Sequence, residues 1–227
     1  MHRLTDEDLR RCGIVGERVA GNRVRLTRVR RWKTWLDVPP TLTADGFVEL
    51  NPDPPCELED GILYAEPFAT MTHGVTVTDC GSVLHDLADA DGDLVPGSRV
   101  GMLMGRGPDT VMGVDVSLWG RAAEGEDDNW LTEPIRLGVE VLSAFDDEHE
   151  VLRRFGRLFD FGVPELWLAD PETRSVRVCV PGRSPRRYDI GETFECESVE
   201  GPPVAVARLF RQLGRRDRRS AAASTPP

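Results

Sequence analysis

The sequence predicts an α/β domain in which helices flank a mixed β-sheet. Three neighbouring segments support this fold class most directly: an alternating apolar strand over residues 135–141, an amphipathic helix behind it, and a hairpin over residues 165–180. A further helix and further strands precede them. This order of elements is typical of an α/β sandwich.

The elements before residue 120 follow from turn-forming residues and apolar spacing. They are a helix over residues 5–12, a strand over 23–29, a turn at Asp60–Gly61, a helix over 72–90, and strands over 95–104 and 111–119. Proline-rich loops are expected at residues 38–40 and 51–55. His73, in the second helix, is predicted to be an ordinary surface or core histidine, with an approach to a site at the strand ends as the alternative.

The strand over residues 135–141 carries a carboxylate that needs a partner. Its apolar residues recur at every second position: Ile135, Leu137, Val139 and Val141. Glu140 therefore points away from the apolar face. Because a carboxylate buried without partners costs free energy, we expect it to meet water, a cation or a metal ion. An ion pair with Arg136 on the same face explains Glu140 equally well.

The helix after this strand is marked at both ends. Ser143 and Asp146 have the spacing of a capping box, and Gly162 ends the helix. Its apolar stripe consists of Val151, Leu152, Phe155, Leu158 and Phe159. Arg154 lies at the edge of that stripe, so its guanidinium reaches a site at the strand ends. A simple i,i+4 pair with Glu150 is the alternative.

The remaining features describe a single soluble domain. Trp167 is predicted to pack in the core and Asp170 to lie in a turn, and residues 221–227 are predicted to be disordered. The five cysteines are widely spaced, so neither a disulfide framework nor a zinc site is indicated. No apolar run approaches the ~20 residues that span a bilayer. The first residues also lack the apolar core of a signal peptide, so we expect a cytoplasmic protein without membrane contact.

Charge is distributed unevenly along the 227 residues, whose formal net charge is −11. Residues 1–36 carry ten basic and four acidic side chains, and residues 215–227 carry four arginines and one aspartate. Of the 28 basic and 39 acidic residues, 14 and 34 remain between these ends, a net of −20. Nucleic-acid binding would therefore depend on the Arg-rich ends, with Trp32 and Trp35 stacking on bases. The alternative is that these ends fold back on the acidic body, for example as a strand over residues 22–29.

Several motifs agree in order and spacing with those of a known family. They are CELEDGILYAEP at residues 56–67 followed by His73, VMGVDVSLW at 111–119, EVLS at 140–143, GVPELWLADPETRSVRV at 162–178 and GETFECESVEGPPVAVARLF at 191–210. Together they resemble the Uma family of restriction-endonuclease-like proteins, a bacterial group of the PD-(D/E)XK nuclease superfamily. The resemblance implies a restriction-endonuclease-like domain over residues 42–213. Residues 1–41 are then an Arg-rich extension and residues 214–227 an Arg-rich, disordered tail.

The resemblance also implies a metal site. Asp115 and Glu140 match the paired acidic metal ligands, with Glu57 as a third acidic contributor. Carboxylate oxygens suit Mg²⁺, with Mn²⁺ as a substitute, and such an ion activates a water and neutralises charge on a scissile phosphate. Aspartate is a poor strand former, so Asp115 within an apolar strand has a reason to be there. A position in a turn or bulge is the alternative.

Two positions depart from the family pattern. Val114 stands where the family usually has proline, which leaves the ligand unchanged. Arg154 matches the position of the catalytic lysine, and Lys33 is the single lysine of the chain. Arginine keeps the positive charge and grips a phosphate, but it stays protonated and cannot act as a base.

Two functional hypotheses follow. The first is a Mg²⁺-dependent endonuclease that hydrolyses phosphodiester bonds in DNA: Asp115 and Glu140 bind metal, Glu57 assists, and Arg154 stabilises the phosphate. The second is an inactive family member that acts as a nucleic-acid or protein interaction module, which Arg154 in place of lysine favours. The sequence does not separate DNA from RNA or from another phosphate ester, and it leaves a homodimer open.

Overall fold

The computed structural model describes residues 15–19, 23–31, 34–52, 55–65, 70–123, 129–144 and 146–215. The helices are α1 (Ala44–Leu50), α2 (Met71–Asp91), α3 (Glu148–Phe161) and α4 (Val206–Leu209), with a 3₁₀ turn at Arg121–Ala123. The strands are β1 (Val15–Arg18), β2 (Val24–Arg31), β3 (Thr34–Asp37), β4 (Cys56–Glu59), β5 (Ile62–Ala65), β6 (Leu94–Ser98), β7 (Met102–Gly105), β8 (Thr110–Met112), β9 (Val116–Gly120), β10 (Leu137–Val141), β11 (Leu166–Asp170), β12 (Ser175–Cys179), β13 (Arg186–Asp189), β14 (Thr193–Phe194) and β15 (Val204–Ala205). The segments predicted over residues 5–12 and 221–227 lie outside the described residues. No helix within the described ranges is both long and apolar enough to cross a membrane.

A six-stranded sheet contains the parallel pair that makes the fold mixed. Its order is β13-β12-β11-β10-β9-β6, and β10 and β11 run parallel while the other neighbours are antiparallel. A parallel pair needs a crossover connection, and α3 supplies it between β10 and β11. The predicted α/β class, with helices flanking a mixed sheet, is confirmed.

The two faces of this sheet are buried against different helices. On β10, Val139 and Val141 pack in the cluster that contains the apolar residues of α2 and α4. On β11, Leu166 and Leu168 pack in the cluster that contains the apolar stripe of α3. Because side chains alternate along a strand, Glu140 lies on the α3 side of β10. The expectation that Glu140 points away from the apolar face of its strand is confirmed.

The second large sheet is antiparallel and includes the Arg-rich N-terminal segment. Its order is β1-β2-β5-β4-β8-β7, with β3 also paired to β2. The strand predicted over residues 23–29 is β2, and the predicted turn at Asp60–Gly61 joins β4 to β5. Gly61 has a φ of 75°, a left-handed conformation that favours glycine. Residues before position 42 therefore contribute strands to the body of the protein.

Between residues 94 and 120 the chain crosses from one sheet to the other and back. The strand predicted over residues 95–104 is divided into β6 and β7, and the strand predicted over residues 111–119 into β8 and β9. Both predictions of a single strand are wrong, because apolar residues continue on each side of the break and the pattern does not show a change of sheet. The two crossing segments, residues 99–101 and 113–115, form what we call the seam. They lie side by side, with the Arg99 backbone N–H donating to the Asp115 carbonyl at 3.2 Å.

Helix α3 begins later than the predicted capping box. Its N-cap is Asp147, whose side chain accepts a hydrogen bond from the backbone N–H of His149. Ser143 donates its backbone N–H to the Asp146 carboxylate at 2.6 Å before the helix starts. Aspartate caps a helix as well as serine does, so the later acid in this acidic run takes the role. The predicted end at Gly162 is confirmed, with a φ of 112°.

Asp109 fixes the start of α1 from a distant turn. Its buried carboxylate accepts the backbone N–H of Ala44 at 2.9 Å and of Gly107 at 3.1 Å. The hydrogen bond from Ala44 is the largest cause that holds the pKa of Asp109 below its usual range, and Gly107 and Arg106 add to it. The contribution of Asp109 to stability is therefore present above the unfolded pKa of about 4 and is lost as the pH falls towards the folded value.

We expect Asp109→Asn to lower the free energy of unfolding by about 1–2 kcal/mol at pH 7, because charge-assisted hydrogen bonds are stronger than neutral ones. Urea denaturation measures the loss, and the difference from wild type should shrink below about pH 4. Asp45→Asn, an exposed acid in the first turn of α1, is the control and should cost about 0.3–0.5 kcal/mol. Equal denaturation midpoints for Asp109→Asn and wild type at pH 7 would contradict the assignment.

Candidate active site

The structure brings the four residues singled out by the sequence into one cavity of about 330 Å³. Glu57 comes from β4, Asp115 from the seam, Glu140 from β10 and Arg154 from α3. The cavity therefore lies where the two large sheets meet α3. Aromatic and proline residues line its other side: Phe47, Pro52, Pro55 and Trp130.

Asp115 and Glu140 lie next to each other where β9 begins to pair with β10. The Asp115 backbone N–H points to Glu140 Oε2 at 3.4 Å, and Asp115 Oδ2 accepts the backbone N–H of Val141 at 2.9 Å. Asp115 occupies a bend directly before β9, so its predicted place inside a strand is wrong and the turn alternative is correct. The bend releases Asp115 from the alternation of a strand and lets its carboxylate turn towards β10.

Arg154 joins the two sheets through its guanidinium group. Its Nη1 donates to Glu140 Oε1 at 2.7 Å, and its Nη2 donates to Glu57 Oε1 at 2.6 Å and to the Gly113 carbonyl at 3.1 Å. Arg154 is only 7% exposed. A buried charge is stable only with partners of this kind, so the ion pairs explain how Arg154, Glu57 and Glu140 are all accommodated.

The simpler ion pairs considered from the sequence are not needed to explain these charges. The cation beside Glu140 comes from α3, whereas Arg136 is exposed and precedes β10. Glu150 forms ion pairs with Arg153 at 2.7 Å and with Arg23 at 3.2 Å. Sequence spacing alone therefore assigned the wrong partners on this helix.

The sequence analysis did not identify Arg23, which forms ion pairs with Glu57 and Glu59. Arg23 is 8% exposed, and its Nη2 and Nη1 lie 3.4 Å from Glu57 Oε2 and 2.6 Å from Glu59 Oε1. Its guanidinium carbon lies 4.3 Å from the centre of the Tyr64 ring, a cation–π contact. Glu57 is thus held by Arg23 on one oxygen and by Arg154 on the other. The available signal was the pair of acids on one face of β4, which require cations, but the sequence does not say which arginine supplies them.

His73 lies against Asp115 at the first turn of α2, with Nε2 3.1 Å from Asp115 Oδ2. Burial lowers the pKa of His73, but the hydrogen bond to Asp115 and the negative charges of Asp115, Asp146 and Glu140 together outweigh it and raise the pKa. The prediction of an ordinary surface or core histidine is wrong. The place of His73 in the family-like motif was the signal for its position at the site.

The donor set at Asp115 and Glu140 fits a small divalent cation with two protein ligands. Both residues offer hard carboxylate oxygens, and Mg²⁺ is commonly held by one or two carboxylates, with water and substrate phosphate completing its shell. Among the described residues, no group of three His, Cys, Asp or Glu side chains is arranged to hold a metal ion. Glu57 is turned towards Arg23 and Arg154, so it contributes to the charge balance of the site.

Comparison with known proteins identifies the family. The model of the Uma2 family matches residues 44–207, well over half of the chain. The chain belongs to the Uma2 family. The description of this family is "Putative restriction endonuclease", so the resemblance seen in the motifs is confirmed and a nuclease role is supported. No curated protein matches the chain.

Solved structures support the same fold. One of them, a "putative nuclease belonging to DUF820 from Anabaena variabilis ATCC 29413", is 19% identical with a TM-score of 0.65, over 76% of this chain and 99% of that chain. Similarity at this level of identity concerns the fold, which is restriction-endonuclease-like as predicted. The Uma2 match begins at residue 44, so β1–β3 and Arg23 precede the matched part of the chain.

We expect Arg154→Ala to lower the free energy of unfolding by about 3–5 kcal/mol, because the buried Glu57 and the half-buried Glu140 lose their shared cation. Guanidinium chloride denaturation measures the loss. Arg153→Ala on the same helix is the control: its side chain is 43% exposed, so the cost should be about 1 kcal/mol or less.

Adding Glu57→Gln to Arg154→Ala should recover part of the lost stability, since one of the two carboxylates that shared Arg154 is then neutral. If Arg154→Ala unfolds at the same denaturant concentration as wild type, these ion pairs do not hold the sheets together.

Proposed function

We propose that this Uma2 protein is an endonuclease that hydrolyses phosphodiester bonds in DNA with Mg²⁺, for which Mn²⁺ substitutes. The observation that carries the proposal is the adjacency of Asp115 and Glu140 in one cavity, with the Asp115 backbone nitrogen 3.4 Å from Glu140 Oε2. The carboxylates of Asp115 and Glu140 line that cavity together, and hard carboxylate oxygens are the ligands that Mg²⁺ prefers. Membership in the Uma2 family supports the nuclease class.

In this proposal each residue has a separate task. Asp115 and Glu140 would hold the ion, whose contribution is a lowered pKa of bound water and neutralisation of charge at the scissile phosphate. Both hydrogen bonds that the Asp115 side chain makes within the described ranges use Oδ2, from Val141 and with His73, and they fix its orientation. Arg154, oriented by Glu57, places positive charge beside Glu140, where it stabilises negative charge that develops on the phosphate.

DNA is proposed as the substrate, held through the Arg-rich ends of the chain. On β2, the side chains of Arg25 and Arg28 are 43% and 50% exposed. Their acidic partners lie at 3.8 Å and 3.0 Å, but exposed ion pairs contribute little. These arginines therefore exchange a carboxylate for a phosphate at small cost. Residues 1–14 and 216–227 carry further arginines that add to the positive charge.

The alternative is an interaction module without catalysis, and one observation favours it. Arg154 already neutralises Glu140 at 2.7 Å and Glu57 at 2.6 Å. Arginine stays protonated at all ordinary pH values, so it competes with a metal ion for Glu140 throughout that range. In this case the protein binds nucleic acid or a protein partner without cutting it.

Cleavage of supercoiled plasmid and of single-stranded DNA with Mg²⁺ or Mn²⁺ tests the proposal. Wild type should cut, and Glu140→Ala should reduce the rate by about 10²- to 10³-fold, because losing a metal ligand removes several kcal/mol of transition-state stabilisation. Arg154→Lys should retain or raise activity. Glu172→Ala, an exposed acid in the β11–β12 turn, is the control and should cut like wild type.

The outcomes separate the two functions. If wild type is inert and Arg154→Lys cuts, the natural protein is a disarmed nuclease. If neither cuts while wild type binds DNA, the interaction module is correct and the endonuclease proposal fails.

A further inference from the structure

Arg99 lies at the proposed active site but has no role among those proposed above for Asp115, Glu140, Glu57 and Arg154. It lies in the seam, it is exposed, and it lines the same cavity as Asp115 and Glu140. Its backbone N–H donates to the Asp115 carbonyl at 3.2 Å. The backbone of Arg99 is therefore bound to the backbone of a proposed metal ligand, so the fold sets the point from which its side chain enters the cavity.

The backbone conformation of Arg99 is costly for a residue with a side chain. Its φ is 53°, in the left-handed region that glycine adopts without strain. Glycine stands nearby at positions 97 and 101, but not at 99. Strained residues of this kind concentrate at functional sites, because the side chain has a use that outweighs the strain.

The charge of the cavity indicates what that use is. Its lining includes three carboxylates, Glu57, Asp115 and Glu140, and two arginines, Arg99 and Arg154. Arg154 is only 7% exposed, whereas Arg99 is exposed to solvent. A nucleic-acid backbone places negative charge on both sides of the scissile phosphate, and such charge is bound mainly by Lys and Arg.

We propose that Arg99 binds a phosphate of the DNA backbone that neighbours the scissile phosphate. This inference rests on the proposed endonuclease function. The ligand is a phosphodiester with two non-bridging oxygens, which the planar guanidinium matches with paired hydrogen bonds. Arg99 thereby sets the register of the strand relative to Asp115 and Glu140, and it contributes to substrate binding more than to the chemical step.

Binding of a fluorescent single-stranded oligonucleotide to the full chain, in EDTA and at several salt concentrations, tests this role. Arg99→Ala should weaken binding about tenfold. It should also reduce the slope of log Kd against log salt by about 0.7, the value for one lost phosphate contact on a single strand. In cleavage assays the same change should raise KM about tenfold and leave kcat within about threefold. Arg99→Lys should keep the salt slope.

Two further variants keep the test decisive. Arg121→Ala removes an exposed arginine beyond the opposite end of β9, and it should bind and cut like wild type. Arg99→Gly should lose binding like Arg99→Ala but melt at a higher temperature than Arg99→Ala, because glycine relieves the left-handed strain.

If Arg99→Ala binds like wild type while wild type cuts DNA, the role of Arg99 is overturned and the endonuclease proposal stands. If wild type neither binds nor cuts DNA, the endonuclease proposal fails and the role of Arg99 fails with it.

Discussion

The guanidinium of Arg154, held between Glu57 and Glu140, is the interaction on which the arrangement of the site depends. Glu57 belongs to the seven-stranded sheet, Glu140 to the six-stranded sheet, and Arg154 to the helix that connects the parallel strands. Glu57 and Arg154 are buried and Glu140 is half-buried, so each charge would be costly without the others. The same ion pairs that fix α3 against both sheets therefore also fix the geometry of the carboxylates around the cavity.

The seam positions Asp115 and Arg99, and its two segments are packed so closely that larger side chains do not fit at Gly113. A Cβ atom on Gly113 would lie 2.8 Å from the carbonyl oxygen of Val100, so a larger residue would push the crossing segments apart. Gly113 also donates its N–H to Glu57 at 3.2 Å and accepts from Arg154 at 3.1 Å through its carbonyl. A backbone position that looks like a simple connection thus orients two of the charged side chains. The sequence pattern of a regular strand does not hold in the seam, as is common at functional sites.

The sequence predicts β10, α3 and the β11–β12 hairpin well, and the site in part. The alternation around Glu140 gave its direction, because one face of β10 is apolar, and the glycine at position 162 gave the end of α3. The breaks before Asp115 and at Arg99 were not predicted, since apolar residues on each side of each break read as one strand while the chain changes sheet. Arg23 could not be assigned either: it meets Glu57 and Glu150 across 34 and 127 positions. Spacing rules describe neighbours within one element only.

The arginine at position 154, where the family resemblance implies a lysine, determines how this site balances its charges. A lysine would offer one compact charge whose pKa responds to burial, whereas the planar guanidinium reaches Glu140 and Glu57 at once and stays protonated. A divalent cation at Asp115 and Glu140 must therefore compete with Arg154 for Glu140 Oε1, while Glu140 Oε2 faces the backbone N–H of Asp115 at the longer distance of 3.4 Å. Glu57, which Arg23 also holds, provides Arg154 with an acceptor that does not depend on Glu140. The second acid allows a permanently charged arginine to remain beside Glu140 and Asp115, the two carboxylates of the proposed metal site.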